Sequence, residues 1–395
     1  MSQDTLDAIG AEIQALHAAG TYKHMPVVDG PMGPLVRLAD GREVVNLCSN
    51  NYLGLANHPL VIAAAQDTMK RHGHGTASVR FICGTMSIHR ELEAAIAEFW
   101  GMEAATTYVS CWNANEAVVP TLLGEGDVVI SDELNHASII NACRLCSKKV
   151  RRLIYKHNQA DDLEARLEEA KGARRTLVIT DGVFSMEGDL ANLPAITQAA
   201  RRHGALVAVD DSHAHGVVGR TGRGTPEHFG VRVDIITGTL GKALGGAAGG
   251  FVASSRPIID LLIQKSRPQL FSNALPPATA GGALAALGVL KREPERVERL
   301  RENANYLRKG LRDLGFEVLE SPTAILPIIV GETAKAIAMA KAMLTHDVLI
   351  TGFGYPVVPE GTARLRAQVS AIHERKHLDQ ALGAFKILKR DMTGK

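Results

Sequence analysis

The chain is poor in cysteine, has no long apolar run and carries almost no excess of either charge. Five cysteines among 395 residues are too few for a disulfide framework, and an odd count suits a reducing compartment. Cys143 and Cys146 form a CxxC, but no second pair or histidine cluster follows at zinc spacing and the flanking pattern is helical, so no metal site is read from them. No uncharged apolar stretch reaches the roughly 18 residues of a bilayer span, and Ala278 to Leu290 is short and rich in Gly and Ala. Met1 to Tyr22 carries Asp4, Asp7 and Glu12 and lacks a basic region ahead of an apolar one, so it does not read as a signal peptide and the protein is expected in the cytoplasm. A formal charge of +2 gives no reason to expect nucleic-acid or membrane partners. Lys148-Lys149 with Arg151-Arg152 reads as solvated helix ends and strand edges. Internal repeats and low-complexity tracts are absent.

What remains is an ordinary globular composition, 46% hydrophobic and 22% charged, in a chain with room for two domains. An amphipathic stretch, Leu6 to Ala19, then Gly20 and the Pro/Gly-rich crossing Pro26 to Pro34, lead to a first strand at Glu43–Leu47. Residues 1–45 read as an N-terminal arm. In residues 46–276 short β-rich runs alternate with helical patterns: Thr106–Ser110, Val128–Ser131, Leu177–Thr180, Leu206–Val209, Ile235–Thr237 and Gly250–Ala253. That alternation predicts an α/β domain with a mostly parallel central sheet and flanking helices. One crossover helix is fully punctuated, with Asn192 as N-cap, Pro194 in its first turn and Gly204 past its end. Beyond Pro276-Pro277, residues 277–395 read as a smaller α+β domain, with strands at Phe316–Leu319, Ile325–Val330, Val348–Thr351 and Arg364–Val369 around a helix Thr333–Leu344.

In such a sheet ligands bind beyond the carboxyl ends of the strands, so polar residues that follow apolar runs are the candidates. Leu206–Val209 runs into Asp210, Asp211, Ser212 and His213. A carboxylate delivered by a buried strand is costly unless something cationic receives it, and a protonated pyridine nitrogen is such a receiver. Capping of the next turn is the plainer use. Ile235 to Gly246 surrounds one lysine, Lys242, with Gly238, Gly241, Gly245 and Gly246. Small neighbours allow close approach, and a desolvated amine has a lowered pKa and can form a Schiff base, whereas a surface loop would look similar in isolation. Thr239 can offer its hydroxyl to a phosphate.

Two further strand ends carry candidates. Ser110 to Asn115, between a strand and a helix, is a potential phosphate cradle built on the amides of Cys111 and Trp112, although a Ser/Asn cap has the same signature. Val128–Ser131 leads to His136, whose ring can stack on a pyridine, and Leu177–Thr180 leads to Ser185, whose hydroxyl can reach a phenolic oxygen. A lone histidine is more often structural. His72, His74 and His215 lack comparable placement.

Eight segments together identify a resemblance: SNNYLGLANHP from Ser49, ASVRFICGT from Ala77, SDELNHASII from Ser131, TDGVFSMEGD from Thr180, VDDSHAHG from Val209, TGTLGKALGG from Thr237, FSNALPPA from Phe271 and GYPVVPEGTARLRAQVSAIH from Gly354. Over essentially its whole length the chain resembles the α-oxoamine synthase family of fold-type I pyridoxal-phosphate enzymes, and within it most resembles the branch that joins glycine to acetyl-CoA. The resemblance implies pyridoxal 5'-phosphate on Lys242, Asp210 on the pyridine nitrogen, His136 stacked on the ring, and Ser185 with His213 at the phenolic oxygen. It implies Thr239, the amides of Cys111 and Trp112, and Ser272 from a second subunit at the phosphate, hence a homodimer with shared sites. Asn50 and Arg366 are implied to hold the amino-acid carboxylate, for which arginine's planar fork is suited.

Glu187 and Gly354 depart from the family pattern, which has a shorter aspartate and, near the glycine branch, a bulky aromatic. Gly354 is expected to enlarge the acyl pocket. ASVRFICGT argues against the decarboxylating branches that make 8-amino-7-oxononanoate, 5-aminolevulinate or long-chain ketones. An aminotransferase or aldolase would use the same cofactor without a thioester, and a mere binding module would have no use for the lysine, acid and arginine together.

Overall fold

The structure is a computed structural model that describes residues 2–393. It divides into two compact units. The larger holds 50–185 and 189–301; the smaller holds the chain before Asn50, Met186–Gly188, and the chain from Glu302 onward.

The larger unit is built on a seven-stranded sheet: β1 Ala104–Tyr108, β2 Val128–Asp132, β3 Arg151–Tyr155, β4 Thr176–Asp181, β5 Leu206–Asp210, β6 Ile235–Thr239 and β7 Gly250–Ser254, ordered β1-β7-β6-β5-β4-β2-β3. Pairing is parallel from β6 through β5, β4 and β2 to β3, and β7 runs antiparallel to both β1 and β6. The central strands are continuous apolar runs because helices cover both faces. Val129, Leu177, Ile179, Ala208, Ile235 and Val252 meet Ala114, Val118 and Ile139 of flanking helices in one core cluster. The crossover helix Leu193–Arg202 has its expected ends: Asn192 accepts from the Ala195 amide at 3.3 Å, and Gly204 takes a left-handed φ of 64°.

Strand β3 is absent from the sequence expectation. It lies at the sheet edge with Arg151, Arg152 and Ile154 exposed and Tyr155 buried, so it has neither an apolar run nor a clean alternation. The helix Pro277–Arg292 belongs to this unit, where it packs along Pro59–His72. The sequence pattern instead places the boundary ahead of that helix.

In the smaller unit, Leu35–Arg37 pairs antiparallel with Glu43–Asn46, which pairs in parallel with Val348–Leu349. The arm and the C-terminal chain therefore share one sheet, whereas the sequence reading separates them. Ile325–Gly331, Ala363–Gln368 and Thr351–Phe353 form a second sheet, wholly antiparallel. The expected helix Thr333–Leu344 is present, while Phe316–Leu319 contributes only a bridge between Val318 and Ile328. Among the described residues no helix is long and apolar enough to cross a membrane.

Candidate active site

Strand β5 delivers Asp210 to its carboxyl end, where the side chain is buried. One carboxylate oxygen accepts the Ser212 amide at 2.8 Å; the other accepts the Asn115 side-chain amide at 2.6 Å and faces the Cys111 thiol at 3.6 Å. Burial alone would raise its pKa, but those donors and the charge of Lys242 outweigh burial and hold it below the ordinary carboxylate value.

Lys242 sits in the connection between antiparallel β6 and β7, closed by the register pair Thr239–Gly250. The lysine is half-buried, and its charge is felt at Asp210, His136 and Cys111. The Thr239 hydroxyl braces this turn: it accepts the Gly241 amide at 3.0 Å and donates to the Gly249 carbonyl at 3.3 Å.

Cys111 and Trp112 open the helix Cys111–Leu122, behind a Ser110 cap that accepts the Asn113 amide at 3.2 Å. Main-chain N–H groups at that position have no partner within their own helix. Strand β7 meets this helix end so closely that a side chain at Gly250 would lie 2.3 Å from the Cys111 nitrogen.

His136 caps the helix Ala137–Leu145. Its amide donates to Asp181, at the end of β4, at 2.6 Å, and its ring lies edge-on to Trp112 with centroids 6.0 Å apart. His213 is buried with Nδ1 2.8 Å from the Tyr52 hydroxyl, which in turn donates to Asn50 at 3.3 Å. Asn50 and His213 are thus linked through a tyrosine that sequence reasoning did not single out. Ser185 is half-buried beyond β4, in a loop fastened by the Val183–Leu190 bridge. Ser272 ends the short helix Arg267–Phe271 and makes no side-chain hydrogen bond among the described residues.

Arg366 lies in the smaller unit, with its guanidinium 4.5 Å above the Phe353 ring. The neighbouring Arg364, buried, donates to Glu187 at 3.1 Å and to the Met186 carbonyl at 2.9 Å. The longer acid at 187 thus serves an internal ion pair. The room expected at Gly354 is not there: a Cβ would meet the Thr333 side chain at 2.2 Å.

Asn115, Ser138 and Asp181 lie within the candidate segments, but sequence reasoning assigned none of them a role of its own. Each is a buried polar residue beside a motif residue, but Ser and Asn near a helix start read as caps and Asp181 as the end of a strand.

A buried carboxylate held ionised suits a cationic ring nitrogen, a helix N-terminus suits a phosphate, and an amine whose charge bears on that carboxylate suits an aldehyde. These residues fit pyridoxal phosphate. A family model described as aminotransferase class I and II matches residues 42–385. The chain is 46% identical to an 8-amino-7-oxononanoate synthase of Symbiobacterium thermophilum, with 98% of each chain covered. It is 47% identical to the 2-amino-3-ketobutyrate coenzyme A ligase of Escherichia coli K12, covering 95% of this chain and 94% of that one. Among solved structures, SPT with PLP superposes with a TM-score of 0.93 at 31% identity, covering 99% and 98% of the two chains. Sphingomonas wittichii serine palmitoyltransferase gives 0.93 at 32%, with the same coverage. The chain belongs to the α-oxoamine synthase family of pyridoxal-phosphate enzymes.

Proposed function

We propose that this enzyme condenses glycine with acetyl-CoA to give 2-amino-3-oxobutyrate and CoA, a reaction that also runs in reverse in threonine breakdown. The observation that carries the choice within the family is the segment ASVRFICGT, which resembles the short-acyl branch; the 47% identity to a 2-amino-3-ketobutyrate coenzyme A ligase agrees with it. Thr333, which fills the space beside Gly354, removes the one sequence feature that pointed toward a roomier acyl pocket. The second reading, 8-amino-7-oxononanoate synthesis, is favoured by an equally similar relative of that name.

Bound pyridoxal phosphate supplies an electron sink for the charge left when the amino acid loses its α-proton. Lys242 would carry the cofactor on its side-chain nitrogen, and the same amine, when free, would take the amino acid's α-proton. Asp210, held ionised, would keep the ring nitrogen protonated; His136 would stack on the ring, and His213 and Ser185 would hold the phenolic oxygen. Thr239 and the amides of Cys111 and Trp112 would hold the phosphate, and Asn50 and Arg366 would hold the glycine carboxylate. The α-carbon then attacks the thioester carbonyl and the CoA thiolate leaves. The working unit is a homodimer in which Ser272 serves the phosphate of a second copy. Phe271, Phe81 and Ile82 stand exposed, and the Val79–Asn273 bridge joins the two segments that carry them.

The test is thiol release with glycine, alanine and serine against acetyl-, propionyl-, succinyl-, pimeloyl- and palmitoyl-CoA, with the product checked for its carboxylate. Glycine with acetyl-CoA is expected to be fastest and propionyl-CoA slower, since one methylene discriminates by only about 1–3 kcal/mol. Fast turnover of pimeloyl-CoA with loss of carbon dioxide overturns this reading in favour of the second.

A further inference from the structure

Between Asp210 and His136 lies a run of buried polar side chains. The Asn115 side-chain nitrogen is 2.6 Å from Asp210 Oδ2 and 2.9 Å from Ser138 Oγ, and its oxygen is 2.8 Å from the Thr237 hydroxyl. Ser138 Oγ is 2.8 Å from His136 Nδ1. Asn115, Ser138 and Thr237 are all buried.

Proton counting gives this run a direction. An ionised carboxylate only accepts, so Asn115 must turn its NH2 toward Asp210. The second hydrogen of that NH2 then goes to Ser138 Oγ, and the amide oxygen accepts from Thr237. With one lone pair taken, Ser138 has its hydrogen to give, and His136 Nδ1 is in reach. The Ser138 backbone N–H points at the same nitrogen from 3.2 Å. A ring nitrogen that faces two donors carries no proton.

We propose that Asn115 and Ser138 are positioning residues that tie Asp210 to His136 through a one-way hydrogen-bond chain, fixing His136 with Nδ1 as an acceptor and its proton on Nε2. The proposal rests on the reading that Asp210 and His136 both contact the bound cofactor. The chain lets one ionised carboxylate serve two ends: it anchors the ring nitrogen directly and, through Asn115 and Ser138, keeps the stacking imidazole uncharged. A second cation against a cationic ring would be repelled. Desolvation also lowers the His136 pKa, against the pull of Asp210.

The test uses holoenzyme labelled with 15N-histidine, and cofactor retention measured from the visible absorbance during dialysis, for wild type, Ser138→Ala, His136→Phe, their double variant and His136→Ala. In the wild type the His136 signals should place the proton on Nε2 with Nδ1 hydrogen-bonded, and Ser138→Ala should give mixed tautomers. Ser138→Ala should weaken cofactor retention about tenfold, the equivalent of one buried hydrogen bond, whereas adding it to His136→Phe should change retention less than twofold. A proton on Nδ1 in the wild type overturns the proposal without any substitution. Additive effects of the two substitutions overturn it and leave the stacking reading standing. Unchanged retention in His136→Phe overturns the proposal alone, because a phenyl ring still stacks, whereas unchanged retention in His136→Ala overturns the stacking reading as well.

Discussion

Removing Arg80 from ASVRFICGT separates what that segment does for the fold from what it does for the substrate. Arg80 begins the π-helical turn Arg80–Gly84 and is buried. Its guanidinium forms a two-pronged ion pair with Glu93, at 2.8 and 3.2 Å, and two further donors go to Thr107 and Thr85, each at 3.1 Å. Glu93 is equally buried and also accepts the Thr107 amide at 2.9 Å. In Arg80→Ala the carboxylate keeps Thr107 and the half-exposed Arg90 at 3.1 Å but loses its main counter-charge. Stranding one member of a buried pair costs about 3–5 kcal/mol. At roughly 2–4 °C per kcal/mol for a unit of this size, the unfolding midpoint should fall by about 6–20 °C. Glu93→Leu with Arg80→Met removes both charges and should recover most of the loss. Calorimetry on the wild type and the two variants reads this directly. If Arg80→Ala shifts the midpoint by less than about 2 °C, the pair is not the turn's anchor and the reasoning fails.

A pH-dependent stability is expected from His157, whose ring nitrogens lie 3.1 Å from Asp132 and 2.9 Å from Asp189. Burial opposes its charge, but the two carboxylates outweigh burial and push the pKa up to about 10. Because the folded value is raised, the contribution is complete below the ordinary value of 6.5 and fades as pH rises through about 10. In urea unfolding, the margin of wild type over His157→Gln should shrink across that window, and a constant margin would refute it. Gly354→Phe should cost about 1–3 kcal/mol by overpacking against Thr333, with Thr333→Gly restoring it in thermal unfolding. A Gly354→Phe protein as stable as wild type would show that Thr333 leaves room.

The central strands are legible because burial on both faces forces unbroken apolar runs such as Val128–Ile130 and Leu177–Ile179. Edge strand β3 is not, since half its surface answers to water and its sequence, Arg151 to Tyr155, obeys neither period. Nor is the joining of the arm to Val348–Leu349, because local pattern carries no information on which distant strand supplies the partner. The same limit applies in the site. Lys242 and Asp210 stand out because a charge set among small residues, or delivered at the end of an apolar run, needs a reason. Asn115 and Tyr52 look ordinary where they occur, and their meaning lies 95 residues away at Asp210 and 161 residues away at His213.

The antiparallel strand β7 has a mechanical consequence. In a parallel sheet a loop leaving a strand end drifts off toward its helix, fastened on one side only. Here the loop 240–249 returns at once into the sheet, and five registered residue pairs clamp its two stems. Lys242 is therefore mounted on a pedestal with two feet. When its amine lets go of a partner, the backbone beneath it has nowhere to wander, and the group stays within a side chain's swing of where it was needed. The same clamp makes 240–249 a poor place for insertions, in contrast to the crossover loops on the same edge of the sheet.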